Sequence, residues 1–102
     1  MSSQMLDIPL TAIISTTPDQ IASELGGEAV ILNLGTGQYY GLNEVGARVW
    51  ELIQQPCTFD SILHSLLEEY DVQPDVCKQD LTKILIDMKE ACLIEVNNEQ
   101  AA

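Results

Sequence analysis

Gly35-Thr36-Gly37-Gln38-Tyr39-Tyr40-Gly41-Leu42-Asn43 lies where the period of the sequence changes. Before it, Glu28 to Leu34 alternates, with Val30, Leu32 and Leu34 on one face and Ala29, Ile31 and Asn33 on the other. That is the spacing of a strand buried on one side and partly on the second. After it, Leu42, Val45, Val49, Leu52 and Ile53 recur at helical spacing, with Trp50 beside them, until Pro56 ends the run. The stretch therefore divides into a turn at Gly35 to Gly37, a strand from Gln38 to Leu42, and an N-cap at Asn43, whose side-chain oxygen can accept from first-turn amides. Glycines ahead of a helix also suggest a phosphate-cradling loop. The dinucleotide fingerprint G-x-G-x-x-G, however, requires glycine where Tyr40 stands, and the stretch carries neither a GxxxxGK[ST] pattern nor a Lys or Arg to meet a phosphate.

Towards the N-terminus, Gln20 to Leu25 reads as a strand joined to the next by the hairpin signal Gly26-Gly27. These segments and Gln38 to Leu42 form an antiparallel meander, with Gln38 to Leu42 as its third strand. Earlier still, the β-prone run Thr11 to Ser15 is broken by Thr17-Pro18-Asp19. Towards the C-terminus, Thr58 caps a second helix whose apolar residues Phe59, Ile62, Leu63, Leu66, Leu67 and Tyr70 keep helical spacing. Asp71-Val72-Gln73 leads to a third helix with Pro74 in its first turn and Asp75 near the positive end of its dipole. Its buried stripe is Cys77, Leu81, Ile84, Leu85, Met88 and Ala91, and Leu93 to Val96 either packs on the core or pairs as a last strand. The expected fold is α+β, a three-stranded antiparallel sheet followed by three helices. It divides into an N-terminal segment 1–19 whose placement is open, a domain over 20–96, and a frayed tail over 97–102.

The 16 acidic residues against 4 basic ones give a formal charge of −12. A chain of that charge repels phosphate backbones, which excludes nucleic acid, anionic membrane and polyanionic substrates as partners. No apolar run approaches the roughly 20 residues that span a bilayer, and the N-terminus MSSQMLDIPL lacks the parts of an export signal, so a cytoplasmic protein is expected. Cys57, Cys77 and Cys92 form no CxxC pair and are expected as reduced thiols, two of them buried, with neither disulfide nor zinc. His64 falls opposite the apolar stripe of the second helix and has no second member for a triad or a metal site. Glu68, Glu69, Asp71 and Asp75 lack the ligand spacing of an EF-hand and read as a solvated face. Lys78, Lys83 and Lys89 either pair with Asp80, Asp87 and Glu90 or form an attractive spot for an acidic segment of a partner. Tyr39 and Tyr40 alternate across their strand, so one ring should face the core and the other should face away. Such an edge strand either covers the sheet with its rings or receives a peptide by strand addition.

Taken in order, Gly37, Tyr40, Leu42, Asn43, Gly46, Trp50 and Leu52, then Thr58, Tyr70 and the ladder Leu81, Ile84, Leu85, Met88 and Leu93, resemble the PqqD-like family over residues 20–96. These are the peptide-recognition elements of ribosomally made, post-translationally modified peptides. The resemblance implies a winged-helix-like fold without catalytic activity, cofactor or metal. It implies capture of a precursor's leader segment as an added strand along Gln38 to Leu42, in the groove between that strand and the third helix, for delivery to modifying or leader-cleaving enzymes. The chain looks most like the stand-alone lasso-peptide recognition proteins, which work with a separate leader peptidase; a radical enzyme is the partner in quinone-cofactor biosynthesis. Carried onto this sequence, the peptide-binding residues are Gln38, Tyr39, Tyr40 and Gly41 on the strand and Lys78, Leu81, Lys83 and Leu85 on the helix, the lysines drawing acidic leader residues. An empty edge also offers itself to a second copy of the chain, as a dimer. The family usually carries glycine where this chain has Cys92, so the exit of the third helix is a point of departure. A winged-helix DNA-binding transcription regulator shares the shape, but its recognition helix should be basic, whereas this chain has an isoelectric point near 4.1. A small enzyme would need a nucleophile and base, or a metal cluster, that the sequence lacks.

Overall fold

The computed structural model describes residues 8–97. The expected meander is formed by β2 (Gln20–Leu25), β3 (Glu28–Asn33) and β4 (Gln38–Leu42), with β3 in the centre and both pairings antiparallel. Gly26 and Gly27 have φ of 58° and 88°, the left-handed pair that a two-residue hairpin turn requires. The face bearing Ala29, Ile31 and Asn33 is buried, and Val30 on the other face is exposed. The meander thus has one dry side, on which the helices pack.

Three helices follow: α1 (Glu44–Leu52), α2 (Phe59–Glu69) and α3 (Pro74–Glu90). Asn43 caps α1, its Oδ1 accepting from the Gly46 amide at 2.9 Å, and Thr58 caps α2, its Oγ1 accepting from the Ser61 amide at 3.1 Å. Pro74 sits in the first turn of α3, where no backbone donor is lost. Arg48 on α1 ties that helix to α2 with a bidentate pair to Glu69, at 2.8 and 2.7 Å, and this pairing holds the Glu69 carboxyl below the usual carboxylate range.

A second antiparallel sheet goes beyond the expected architecture. Here β1 (Ile13–Thr16) lies between β5 (Cys57–Thr58) and β6 (Ile94–Asn97), so the run before Pro18 and the apolar tail after α3 become neighbours. Ile14 pairs with Cys57 on one side and Val96 on the other, and its side chain is fully buried. The N-terminal segment whose placement was open therefore contributes β1 to the fold. Asn97, expected in a frayed tail, belongs to β6, while residues 1–7 of that segment and 98–102 of that tail lie outside the described range.

One core joins the two sheets and the helices. Ile14, Ile31, Val49, Ile53, Phe59, Leu81, Leu85 and Leu93 have essentially no exposed surface within it. Of the thiols, Cys77 is buried, Cys57 half-buried and Cys92 exposed, so only one cysteine is fully inside rather than two. Burial pushes the Cys57 and Cys77 thiols above their ordinary range. No described helix is long and apolar enough to cross a membrane.

Candidate functional site

β4 pairs only with β3, which leaves its other edge unpaired among the described residues. Its side chains alternate as the strand period demands: Tyr40 and Leu42 pack partly against the core, while Tyr39, 69% exposed, and Gly41 stand on the opposite face. Tyr40 donates its hydroxyl to Gln38 Oε1 at 2.8 Å, two residues back on the same face. Facing this edge is a strip of α3.

Between the two runs a cleft of about 330 Å³. Its strand wall is Tyr40, Gly41 and Leu42, its helix wall is Ile84, Asp87, Met88 and Ala91, and Asn43 and Gly46 at the start of α1 close one end. Residues 84, 87, 88 and 91 are spaced at three and four, which puts them on one side of a helix. Three consecutive strand residues cannot share a face, so a cleft that meets all three runs along the strand's backbone edge. A Cβ built on Gly41 would meet nothing within 4 Å and its backbone is not left-handed, so the fold itself does not demand glycine there. Gly46 differs, because an added Cβ would sit 3.4 Å from both Asn43 Oδ1 and Leu42 Cβ.

Four of the expected site residues, Gln38, Tyr39, Tyr40 and Gly41, thus lie together on the free edge strand. The four expected on the helix do not face the cleft. Leu81 and Leu85 are fully buried in the core, beneath the helix rather than beside β4, so a partner cannot reach them. Lys78 and Lys83 line a neighbouring depression of about 830 Å³ on α3, which shares Asp87 with the cleft. Among the described residues no α3 lysine makes an ion pair within 4.0 Å, so the expected pairings with Asp80, Asp87 and Glu90 do not form. The helix residues that do meet the cleft are Ile84, Asp87, Met88 and Ala91. Three of them belonged to the apolar stripe, which the helical period alone could not divide into a core side and a cleft side. His64 is exposed, as expected, with Nδ1 3.1 Å from the Asp60 carbonyl.

The distance between the two walls is fixed from below. α3 ends with Cys92 in the left-handed conformation at φ 63°, and the Leu93 amide reaches back to the Met88 carbonyl at 2.9 Å. The departure from glycine at Cys92 therefore leaves a left-handed exit in place. The next carbonyls are then taken by side chains from β2, β3 and the link between β1 and β2. Thr17 Oγ1 donates to Cys92 O at 2.8 Å, Gln20 Nε2 to Leu93 O at 3.0 Å, and Asn33 Nδ2 to Ala91 O at 3.4 Å. Asn33 is nearly buried, and its Oδ1 accepts from the Gly35 and Thr36 amides in the turn that leads into β4. One side chain thus holds both the start of the strand wall and the end of the helix wall.

Residues 28–94 match the family model described as coenzyme PQQ synthesis protein D, PqqD. Two solved structures share the fold. TbiB1 in complex with the TbiA(beta) leader peptide superposes with a TM-score of 0.74 at 28% identity, over 79% of this chain and 94% of that one. Lasso peptide synthetase B1 complexed with the leader peptide superposes with a TM-score of 0.71 at 18% identity, over 80% and 96%. No curated protein matches the chain in sequence. The matched segment runs from β3 through α3 into β6 and so contains both walls of the cleft, and on that match the chain belongs to the family of coenzyme PQQ synthesis protein D.

Proposed function

We propose that this protein binds the leader segment of a ribosomally made precursor peptide, without catalysing a reaction itself, and presents the precursor to modifying or leader-cleaving enzymes of a lasso-peptide or related pathway. The observation that carries this reading is the cleft along the free edge of β4, in a chain similar over most of its length to TbiB1, which is solved with a leader peptide bound. Strand addition there would give affinity through main-chain hydrogen bonds and register through side-chain pockets. On this reading Gln38 to Gly41 supply the edge, and Tyr40, Ile84 and Met88 supply the apolar pocket. Leu81 and Leu85 support the helix wall and do not touch the peptide. The separate partner enzyme is a leader peptidase or another enzyme of the same pathway.

Titration of the full chain with a labelled leader peptide, taken from the precursor encoded beside its gene, tests the reading. Saturable binding is expected, and none below about millimolar would sink it. Gly41→Val sharpens the test. The added side chain meets open space in the free protein and suits a strand, so folding stability should change little. Because that side chain stands out of the sheet on the face of Tyr39 and leaves the backbone edge open, leader affinity should change less than about threefold, and a loss of about tenfold or more would place the peptide across that outer face instead of along the edge.

A further inference from the structure

The cleft holds one charged side chain among its lining residues, and it is an acid. Asp87 is exposed on α3, and among the described residues its carboxylate makes no ion pair and accepts no side-chain hydrogen bond. Lys83, one turn earlier, lines the neighbouring depression and is not within ion-pair distance of it. At the other end of the cleft the positive end of α1 is already answered, by the Asn43 side chain on the Gly46 amide and by Glu44 in the first turn. The whole chain carries −12, a field that draws cations in and turns anions away before contact.

Resting on the peptide-binding reading above, we propose that the segment bound in this cleft is cationic. It sets an apolar side chain between Tyr40, Ile84 and Met88 and, beside it, a lysine or arginine whose charged end meets the Asp87 carboxylate. The aliphatic stem of such a residue can lie over the apolar strip of α3 while its head reaches the acid at the rim. Arginine would add a bidentate geometry that lysine lacks. The lysines of α3 do not select the peptide, and acidic leader residues are disfavoured.

The experiment is a titration of the full chain with the same synthetic leader and with variants in which each lysine and arginine is replaced singly by glutamine or glutamate. Each peptide is measured against wild type, Asp87→Asn and Asp87→Lys. Asp87 is solvent-exposed and makes no side-chain bond, so both protein variants should fold, which circular dichroism checks. One cationic position is expected at which glutamine weakens wild-type binding about two- to fivefold, the range of a partly solvated ion pair. That loss should vanish in Asp87→Asn, and in Asp87→Lys the glutamate peptide should become the tighter binder. Added salt should slow association of the unmodified leader with wild type. A leader that binds saturably but shows no cationic position coupled to Asp87, or that gains affinity from added acids on wild type, overturns the charge assignment and leaves the peptide-binding reading standing. Absence of any saturable binding removes both.

Discussion

At the scale of single residues, Cys92 carries a conformational cost that its neighbours make unavoidable. The left-handed backbone there lets the Leu93 amide close the last turn of α3 and sends the chain back into β6, yet a side chain in that conformation costs about 1–2 kcal/mol. Glycine removes the clash between Cβ and the following carbonyl, while giving the unfolded chain more freedom. The balance predicts that Cys92→Gly raises the free energy of unfolding by about 0.5–1 kcal/mol, read from urea denaturation with an unchanged slope. The thiol is exposed and makes no side-chain hydrogen bond among the described residues, so little is lost with it. A less stable Cys92→Gly would mean that the side chain supports the exit in some other way.

At the scale of elements, the placement of α3 against β4 decides whether there is a cleft, and Asn33 is the side chain common to both. Asn33→Ala strands two turn amides and the Ala91 carbonyl, which should cost about 1–3 kcal/mol of stability. Asn33→Asp separates the two roles, since it still accepts from the turn amides but sets a carboxylate against a carbonyl oxygen. It should keep the β3–β4 turn and weaken leader binding; equal affinity in urea-matched, folded Asn33→Asp would show that the helix contact does not set the cleft. The bonds of Thr17, Gln20 and Asn33 to the exit of α3 were not legible in the sequence, because their partners lie at the far end of the chain, whereas the bonds of Asn33 to Gly35 and Thr36 are local. The period switch at Asn43, the caps at Asn43 and Thr58 and the proline start of α3 at Pro74 were legible because each is settled within one turn of helix. The same limit hid the second sheet: β5 has two residues and β1 and β6 four each, too short for a period, and their pairing is non-local. It also misplaced the helix wall. A stripe running from Cys77 to Ala91 says which side of α3 is apolar, but only the position of β4 says that Leu81 and Leu85 lie away from the cleft while half-buried Ile84 and buried Met88 line it.

At the scale of the whole molecule, the sheet β2-β3-β4 has two edges and they are not equivalent. A free edge is ordinarily a hazard, since its unpaired amides and carbonyls invite another chain. The edge of β4 faces a helix across a cleft of about 330 Å³, whereas Glu24 of β2 borders a smaller hollow of about 190 Å³ shared with α1. A strand entering at β4 would extend the meander to four strands and pack its own side chains on α3. A strand added at β2 would gain backbone bonds without the apolar wall of α3. This asymmetry predicts where protection appears when the leader binds. In amide hydrogen exchange at leader concentrations about a hundredfold above Kd, global unfolding should be opposed by about 2.7 kcal/mol more. Beyond that uniform slowing, Gln38 to Leu42 should gain extra protection, because alternate amides on a free edge exchange without global unfolding until a partner strand covers them. The strands β1, β5 and β6, which form the other sheet and pair with no strand of the meander, should show only the uniform part. Extra protection on Gln20 to Leu25 instead would move the peptide to the opposite edge and detach the cleft from binding. Uniform slowing with no local gain would mean that the leader sits in the cleft by its side chains without joining the sheet.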